Sequence, residues 1–229
     1  MGGSNTTPES NEPVSKTLKA RDPNEQKIID EIAGLESFQK KLEKSCDAAE
    51  EQFKKMLEEC NQEILKRIQF INDVKEAWKA ETDEEKKAEL QDILNNSEKL
   101  LKELEGEVKS KIVNARTEVN SAFLTHDESL RAGTAEGARL CQRFQESGSP
   151  IDVKSEKGDS VNQYCKNMQQ LRNSISTFVT SIPGKIDALS SFFNKNKTQH
   201  HSIEKRFETY KSMKKEQNKE LDSSAKKSV

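Results

Sequence analysis

Residues 22–60 read DPNEQKIIDEIAGLESFQKKLEKSCDAAEEQFKKMLEEC, and their spacing decides the fold. Ile28, Leu35, Leu42, Ala49 and Met56 recur at every seventh position, and so do Ile32, Gln39, Cys46, Phe53 and Cys60. Two such rows, offset by four residues, make one apolar stripe along an α-helix, the pattern of a heptad seam. No proline lies between Pro23 and Pro150, so nothing here removes a helical hydrogen bond. The start is marked too: Asp22 stands at the cap, Pro23 at the first helical position and Glu25 at the third, a capping-box arrangement. Beyond Met56 the stripe moves over by one position, to Leu57, Ile64, Ile71 and Trp78. A nearly straight helix read against a seven-residue repeat drifts in this way. A helix over 23–80 follows, about 87 Å long.

The stripe fails between Lys79 and Glu89, where Thr82 and Glu85 form a second capping box. This predicts the tip of a helical hairpin folded about Thr82, which pairs position 28 with 136 and 42 with 122. A second helix over 83–146 carries Leu90, Leu94, Leu101, Leu104, Val108, Ile112, Val119 and Leu130. Gly106 is tolerated in it at a cost of about 1 kcal/mol relative to alanine, and Gly133 and Gly137 are expected to kink or fray its end. Residues 147–159, SGSPIDVKSEKGD, read as a loop. Ser160 with Gln163 marks a third helix over 160–182, which Pro183 must end or kink. The pattern resumes over 184–218, with a polar gap from Asn194 to Ser202 in which His200 and His201 are expected to face water. Residues 1–21 read as a disordered leader and 221–229 as a frayed basic tail. The expected fold is all-α, an elongated antiparallel bundle of three long helices, or four if Pro183 divides the last. Its seams over 22–220 are coiled-coil-like.

The composition agrees. Charged residues make up 34% of the chain and hydrophobic ones 31%, which concentrates burial into stripes and excludes collagen-like and disulfide-rich classes. No stretch approaches the roughly 18 apolar residues of a membrane span. The first 13 residues lack the apolar core of a secretory signal, which predicts a cytoplasmic setting with free thiols. The formal net charge of −2 hides an asymmetry. Residues 1–159 carry 25 basic and 34 acidic side chains, whereas residues 160–229 carry 13 and 6. The basic final third suits an acidic partner: the chain's own acidic part, anionic lipid or an acidic protein. Nucleic acid is disfavoured, for want of zinc-finger spacing, an aromatic platform or a basic pI.

Met1-Gly2-Gly3-Ser4-Asn5-Thr6 matches the N-myristoylation pattern, with Gly2 as the lipidation site and a hydroxyl at the sixth position. Glycine is needed because the acyl group goes onto an unhindered α-amine. One myristoyl chain binds membranes only marginally, so a second signal is required. Lys205, Arg206, Lys211, Lys214, Lys215 and Lys219 are the candidate contacts for anionic lipid or an acidic partner. Cys46, Cys60, Cys141 and Cys165 occupy stripe positions and behave as small core residues; none is spaced as a metal pair. His126 reads as a core-edge residue, and Trp78 as the closure of the core near the tip. No P-loop, dinucleotide fingerprint, nucleophile elbow or zinc-protease motif is present. The sequence therefore predicts no catalytic residues, no metal, no cofactor and no enzyme activity.

The expected function is a non-enzymatic coiled-coil scaffold or adaptor for protein partners, tethered to the cytoplasmic face of a membrane through myristate on Gly2. The three long antiparallel helices over 23–220 also resemble the BAR-domain plan, in architecture alone and without a shared motif. That resemblance implies a membrane-binding or curvature module, though its basic tips are replaced here by Glu81, Asp83, Glu84 and Glu85. A soluble cytoskeletal or assembly subunit without lipid is a third reading. The same seams serve an intramolecular bundle or a helix-swapped homodimer.

Overall fold

The computed structural model describes the backbone of residues 12–147 and 153–227, and the side chains of 12–147 and 156–220. Its elements are a short helix α1 (Val14–Thr17), then α2 (Pro23–Ala80), α3 (Glu84–Glu103), a π-helical turn (Leu104–Val108), α4 (Lys109–Glu146) and α5 (Val153–Lys227). Among the described residues there is no strand. The chain divides into two compact units. Unit 1 is drawn from residues up to Ala48 and from Glu118–Ile182, and unit 2 from Ala49–Thr117 and from Pro183 onward.

Each unit buries apolar stripes from three helical segments. In unit 1, α2 supplies Ile28, Ile32, Leu35 and Leu42, α4 supplies Val119, Leu130 and Cys141, and α5 supplies Val161, Tyr164, Met168 and Ile175. In unit 2, Ile71 and Val74 of α2 pack with Leu90, Ile93 and Leu94 of α3 and with Ile203, Phe207 and Tyr210 of α5. Trp78 lies against this cluster. A lone helix with such a stripe is not stable in water; burying three stripes on one another is what holds each unit together.

Within each unit α2 and the α3–α4 strand of helix are antiparallel. In unit 2, Lys75 pairs with Glu98 at 2.8 Å, Arg67 reaches the Leu100 carbonyl at 3.1 Å and Glu50 pairs with Arg116. In unit 1, Gln39 donates to Asp127 at 2.6 Å and Arg21 to the Phe144 carbonyl at 2.9 Å. Glu50 with Arg116 in unit 2 and Gln39 with Asp127 in unit 1 each centre on Asp83, one residue later than Thr82. Asp83 is also the cap of α3, its Oδ1 accepting from the amides of Glu85 at 3.0 Å and Lys86 at 3.2 Å. Aspartate outranks threonine at this position. In addition, the Glu81 carboxylate takes the amides of Thr82 (3.0 Å) and Asp83 (3.2 Å), which sets the turn one residue on.

At the start of α2, Asp22 Oδ1 accepts from the amides of Asn24 and Glu25, both at 2.9 Å, and Glu25 accepts from the Arg21 amide at 2.7 Å. Part of the expected leader is folded. Ser15 of α1 donates its hydroxyl to Glu36 at 2.5 Å, and the Lys19 carbonyl accepts from Gln145 at 3.0 Å.

Three other expectations are corrected. The loop over 147–159 ends early, because α5 already begins at Val153. Lys157 explains this: it is buried and pairs with Asp22, and with Glu25 at 3.0 Å, so a helical turn there satisfies two carboxylates on α2. Pro183 does not end a helix either; α5 runs through it as one 75-residue element. A proline inside a helix costs about 3 kcal/mol, and the buried Ile182 and Ile186 on either side keep the segment docked. Here the stripe takes two successive steps of four, Phe178 to Ile182 to Ile186, a stutter that locally unwinds a seam. Finally, Gly133 and Gly137 neither kink nor fray α4. They lie inside it, and a methyl group at Gly137 would stand 2.8 Å from Tyr164 Cζ and 2.9 Å from Ile32 Cγ1. Close helix approach is their role.

The π-turn has its own reason. Leu100, Leu104, Val108 and Ile112 are all buried and spaced by four at every step. At 3.6 residues per turn such a run drifts about 40° per step round the helix. The i→i+5 turn inserts one residue and returns the run to the core, and Gly106 sits in it with open space around it.

Candidate functional site

The basic residues singled out by sequence divide into two groups. Lys211, Lys214, Lys215 and Lys219 line one cavity of about 540 Å³ in unit 2, with Ala77 and Ala80 of α2 and Tyr210 of α5. Spacings of three, one and four put these lysines on one face of α5. Lys205 and Arg206 are not part of this lining. Lys205 is exposed, and Arg206 reaches across to Asp92 of α3 at 2.8 Å. Gly2 lies outside the described residues.

Glu81 anchors the cavity. It is buried, and its Oε2 accepts from the Tyr210 hydroxyl at 2.6 Å and from Lys214 Nζ at 2.7 Å. Its other oxygen takes the two turn amides described above. The hydrogen bond from Lys214, then that from Tyr210, holds its carboxyl well below the usual range, at about 2. Glu81 is therefore ionised and saturated. Lys211 pairs with Glu208 on the surface and lies 4.9 Å from the Phe207 ring centre. Lys215 has no carboxylate partner among the described residues.

A second polar centre lies deeper in unit 2. Arg67 is fully buried, and it continues the row Ile32, Gln39, Cys46, Phe53, Cys60, Arg67, Val74 and Glu81, each seven apart. That row does not drift; it carries two charged residues where an apolar reading stops. Arg67 pairs with Glu63 at 3.1 Å and donates to the carbonyls of Leu100 at 3.1 Å and Asn196 at 3.4 Å. Asn196 Nδ2 donates to the same Leu100 carbonyl at 3.4 Å, at the end of α3 where the π-turn begins. His200 is buried as well, contrary to the expectation of a solvated gap; only His201 is exposed. The rows Ile186, Phe193, His200, Phe207 and Leu189, Asn196, Ile203, Tyr210, all buried except the half-buried Leu189, pass straight through that gap. The His200 ring meets Phe70 edge-on at 5.1 Å, and its Nδ1 faces Glu204 at 3.5 Å. Asn196 Oδ1 and His200 Nε2 have no hydrogen-bond partner.

Burial, and next the charge of Arg67, holds His200 below its usual value of 6.5, while Glu204 and Glu63 oppose and His201 adds to the repulsion. The folded protein thus takes up this proton later than the unfolded chain. Stability from this site is complete above about pH 6.5 and falls as pH drops toward the folded value. The urea midpoint of unit 2, read from Trp78 fluorescence, is expected to fall between about pH 7.5 and about pH 5.5. His200→Phe, which keeps the aromatic contact and removes the titration, is expected to flatten that slope.

Unit 1 holds other sequence candidates. Cys46 and Cys141 are buried and Cys165 half-buried, and these three and Cys60 of unit 2 are all free thiols. Burial pushes the thiols of Cys46 and Cys141 up to about 11, which makes them poor nucleophiles. The half-buried His126 ring lies 5.0 Å from the Phe178 ring, tilted by 43°. Among the described residues no group of three His, Cys, Asp or Glu is placed to hold a metal ion. No helix among them is long and apolar enough to cross a membrane. No protein-family model, curated protein or solved structure matches this chain.

Proposed function

We propose that this protein is a non-enzymatic helical scaffold held at the cytoplasmic face of a membrane by a myristoyl group on Gly2. The observation that carries this reading is the hexapeptide Met1 to Thr6, which meets the acylation pattern. The helices support it by leaving long charged faces for protein partners. A single acyl chain needs a second membrane signal, and the lysine cavity of unit 2 is suited to supply it. Intact mass of the protein made in eukaryotic cells tests the proposal. The expected result is the mass of one myristoyl group on Gly2, and a shift from membrane to soluble fraction in Gly2→Ala. An unmodified glycine, or an unchanged distribution in the variant, would sink it in favour of a soluble assembly subunit.

A membrane-shaping module is a second reading. The lysine cavity favours it, because a basic surface is what such modules press against anionic lipid. Tubulation of anionic liposomes by the purified chain is the expected result; vesicles that bind protein and stay spherical count against it.

A further inference from the structure

We propose that Ser15 is a phosphorylation site, and that a phosphate there unlatches the strap formed by residues 12–21 from unit 1. The inference goes beyond the membrane reading and does not need Gly2 to be acylated. The strap is held by few bonds. Ser15 places both its amide and its hydroxyl on the Glu36 carboxylate of α2, at 3.4 Å and 2.5 Å. Further along, the Lys19 carbonyl accepts from Gln145 of α4 at 3.0 Å, and Arg21 donates to the Phe144 carbonyl at 2.9 Å. No residue of α1 is buried, so little apolar packing supports these bonds. Ser15 also stands apart from the other hydroxyls. Among the described residues, the bonds that serine and threonine hydroxyls make elsewhere, from Thr17 to Ser212, run to a carbonyl three or four residues back. Ser15 is the one among them that ties two elements together.

Charge makes this latch switchable. Among the described residues Glu36 is bonded by Ser15 and pairs with no cation. A phosphate monoester carries about −1.5 to −2 at neutral pH and offers acceptors where the hydroxyl offered a donor. Beside an unneutralised carboxylate it turns a bond into a repulsion. The cations nearest in sequence, Lys16 and Lys19, are exposed on the strap itself. They move with the phosphate and do not hold it to α2. Access follows from the same weakness. α1 is one turn of four residues, and the chain is already extended at Leu18 (φ −90°, ψ 143°). A turn this short is not stable without packing, so local opening presents Ser15 to a kinase that uses ATP. In the transfer, Ser15 Oγ bonds to the γ-phosphorus. The bond from that phosphorus to the β–γ bridging oxygen breaks, its electron pair leaves on ADP, and the hydroxyl proton passes to the kinase's base.

The test uses the full chain made in bacteria with phosphoserine incorporated at position 15. Hydrogen exchange of residues 12–21, read by mass spectrometry, is compared with that of wild type and of Ser15→Ala. Alanine only removes the bond and should speed exchange about threefold. Phosphoserine adds repulsion and should speed it about tenfold more. In Glu36→Lys the sign should reverse, with the phosphate slowing exchange relative to the same variant without it. Exchange over residues 28–42 of α2 should stay unchanged throughout. A second arm maps phosphate on the chain made in eukaryotic cells, where it is expected on Ser15. Equal rates for phosphoserine and Ser15→Ala would reduce the effect to one lost hydrogen bond and overturn the switch. So would slower exchange in the phosphorylated wild type, the result if Lys40, exposed one turn along α2, captured the phosphate. An unmodified Ser15 in eukaryotic cells would overturn the modification. An unmodified Gly2 would overturn the tether and leave these results standing.

Discussion

Arg67→Ala is expected to destabilise unit 2 by about 3–5 kcal/mol, the cost of removing one partner from a buried charge pair. Three groups lose their donor at once: the Glu63 carboxylate and the carbonyls of Leu100 and Asn196. The Leu100 carbonyl keeps Asn196 and the Leu104 amide, so its loss is partial, but the Asn196 carbonyl loses its side-chain donor. Alanine also leaves a void at a fully buried position, which adds a cavity cost. Urea unfolding read from Trp78, the single tryptophan, measures this in the unit where it occurs. Arg67→Met, which restores most of the volume without the charge, should lose less. A loss below about 1 kcal/mol in Arg67→Ala would mean that water replaces the guanidinium.

The same centre gives a sharper expectation. Replacing buried ionic groups together by apolar ones of similar size is often neutral or stabilising. Arg67→Met/Asn196→Leu/His200→Phe should therefore recover stability relative to Arg67→Ala. Polar residues on a seam can act by fixing register and partner number at a cost in stability. Light scattering on the triple variant tests that role: a mixture of oligomeric states is expected where wild type gives one.

The second large effect lies in unit 1. Gly137→Ala is expected to destabilise by about 2–3 kcal/mol, despite the roughly 1 kcal/mol that alanine gains in a helix. The new methyl would press on the Tyr164 ring and on Ile32, both buried. Moving Tyr164 would also break the hydrogen bond from its hydroxyl to the Gly133 carbonyl at 2.9 Å. Gly184→Ala makes the opposite case. It lies in α5 with nothing within 4 Å of the added group, so the propensity gain of roughly 0.5–1 kcal/mol remains. Far-UV thermal melts of both variants should move in opposite directions. A Gly137→Ala protein as stable as wild type would show that Tyr164 yields without cost.

Much of this could be read from periodicity, and the reason is local. A stripe at steps of three and four places its residues on one helix face whatever surrounds it, so the all-α class followed from Ile28 to Cys60 alone. The cap at Asp22 was equally legible, because capping is settled within four residues. Arg67, Glu81, Asn196 and His200 were not, since a search for apolar residues passes over charged ones. The signal was nevertheless present, as unbroken rows of sevens running through them. Among the site residues, the grouping of Lys211, Lys214, Lys215 and Lys219 on one face was readable from their spacing. That Arg206 turns away to Asp92 was not.

By itself, then, the sequence determined where the helical stripes run, because side-chain direction repeats with the backbone. Tertiary structure alone decided the rest. It carried α5 through Pro183, since docking of Ile182 and Ile186 outweighs one missing hydrogen bond. It buried Glu81 beside the Asp83 cap, since Tyr210 and Lys214 reach its carboxylate from 129 and 133 residues away. It turned two glycines that read as breakers into the seat of Tyr164. In each case the deciding partner is distant in the chain, and only packing brings it within reach.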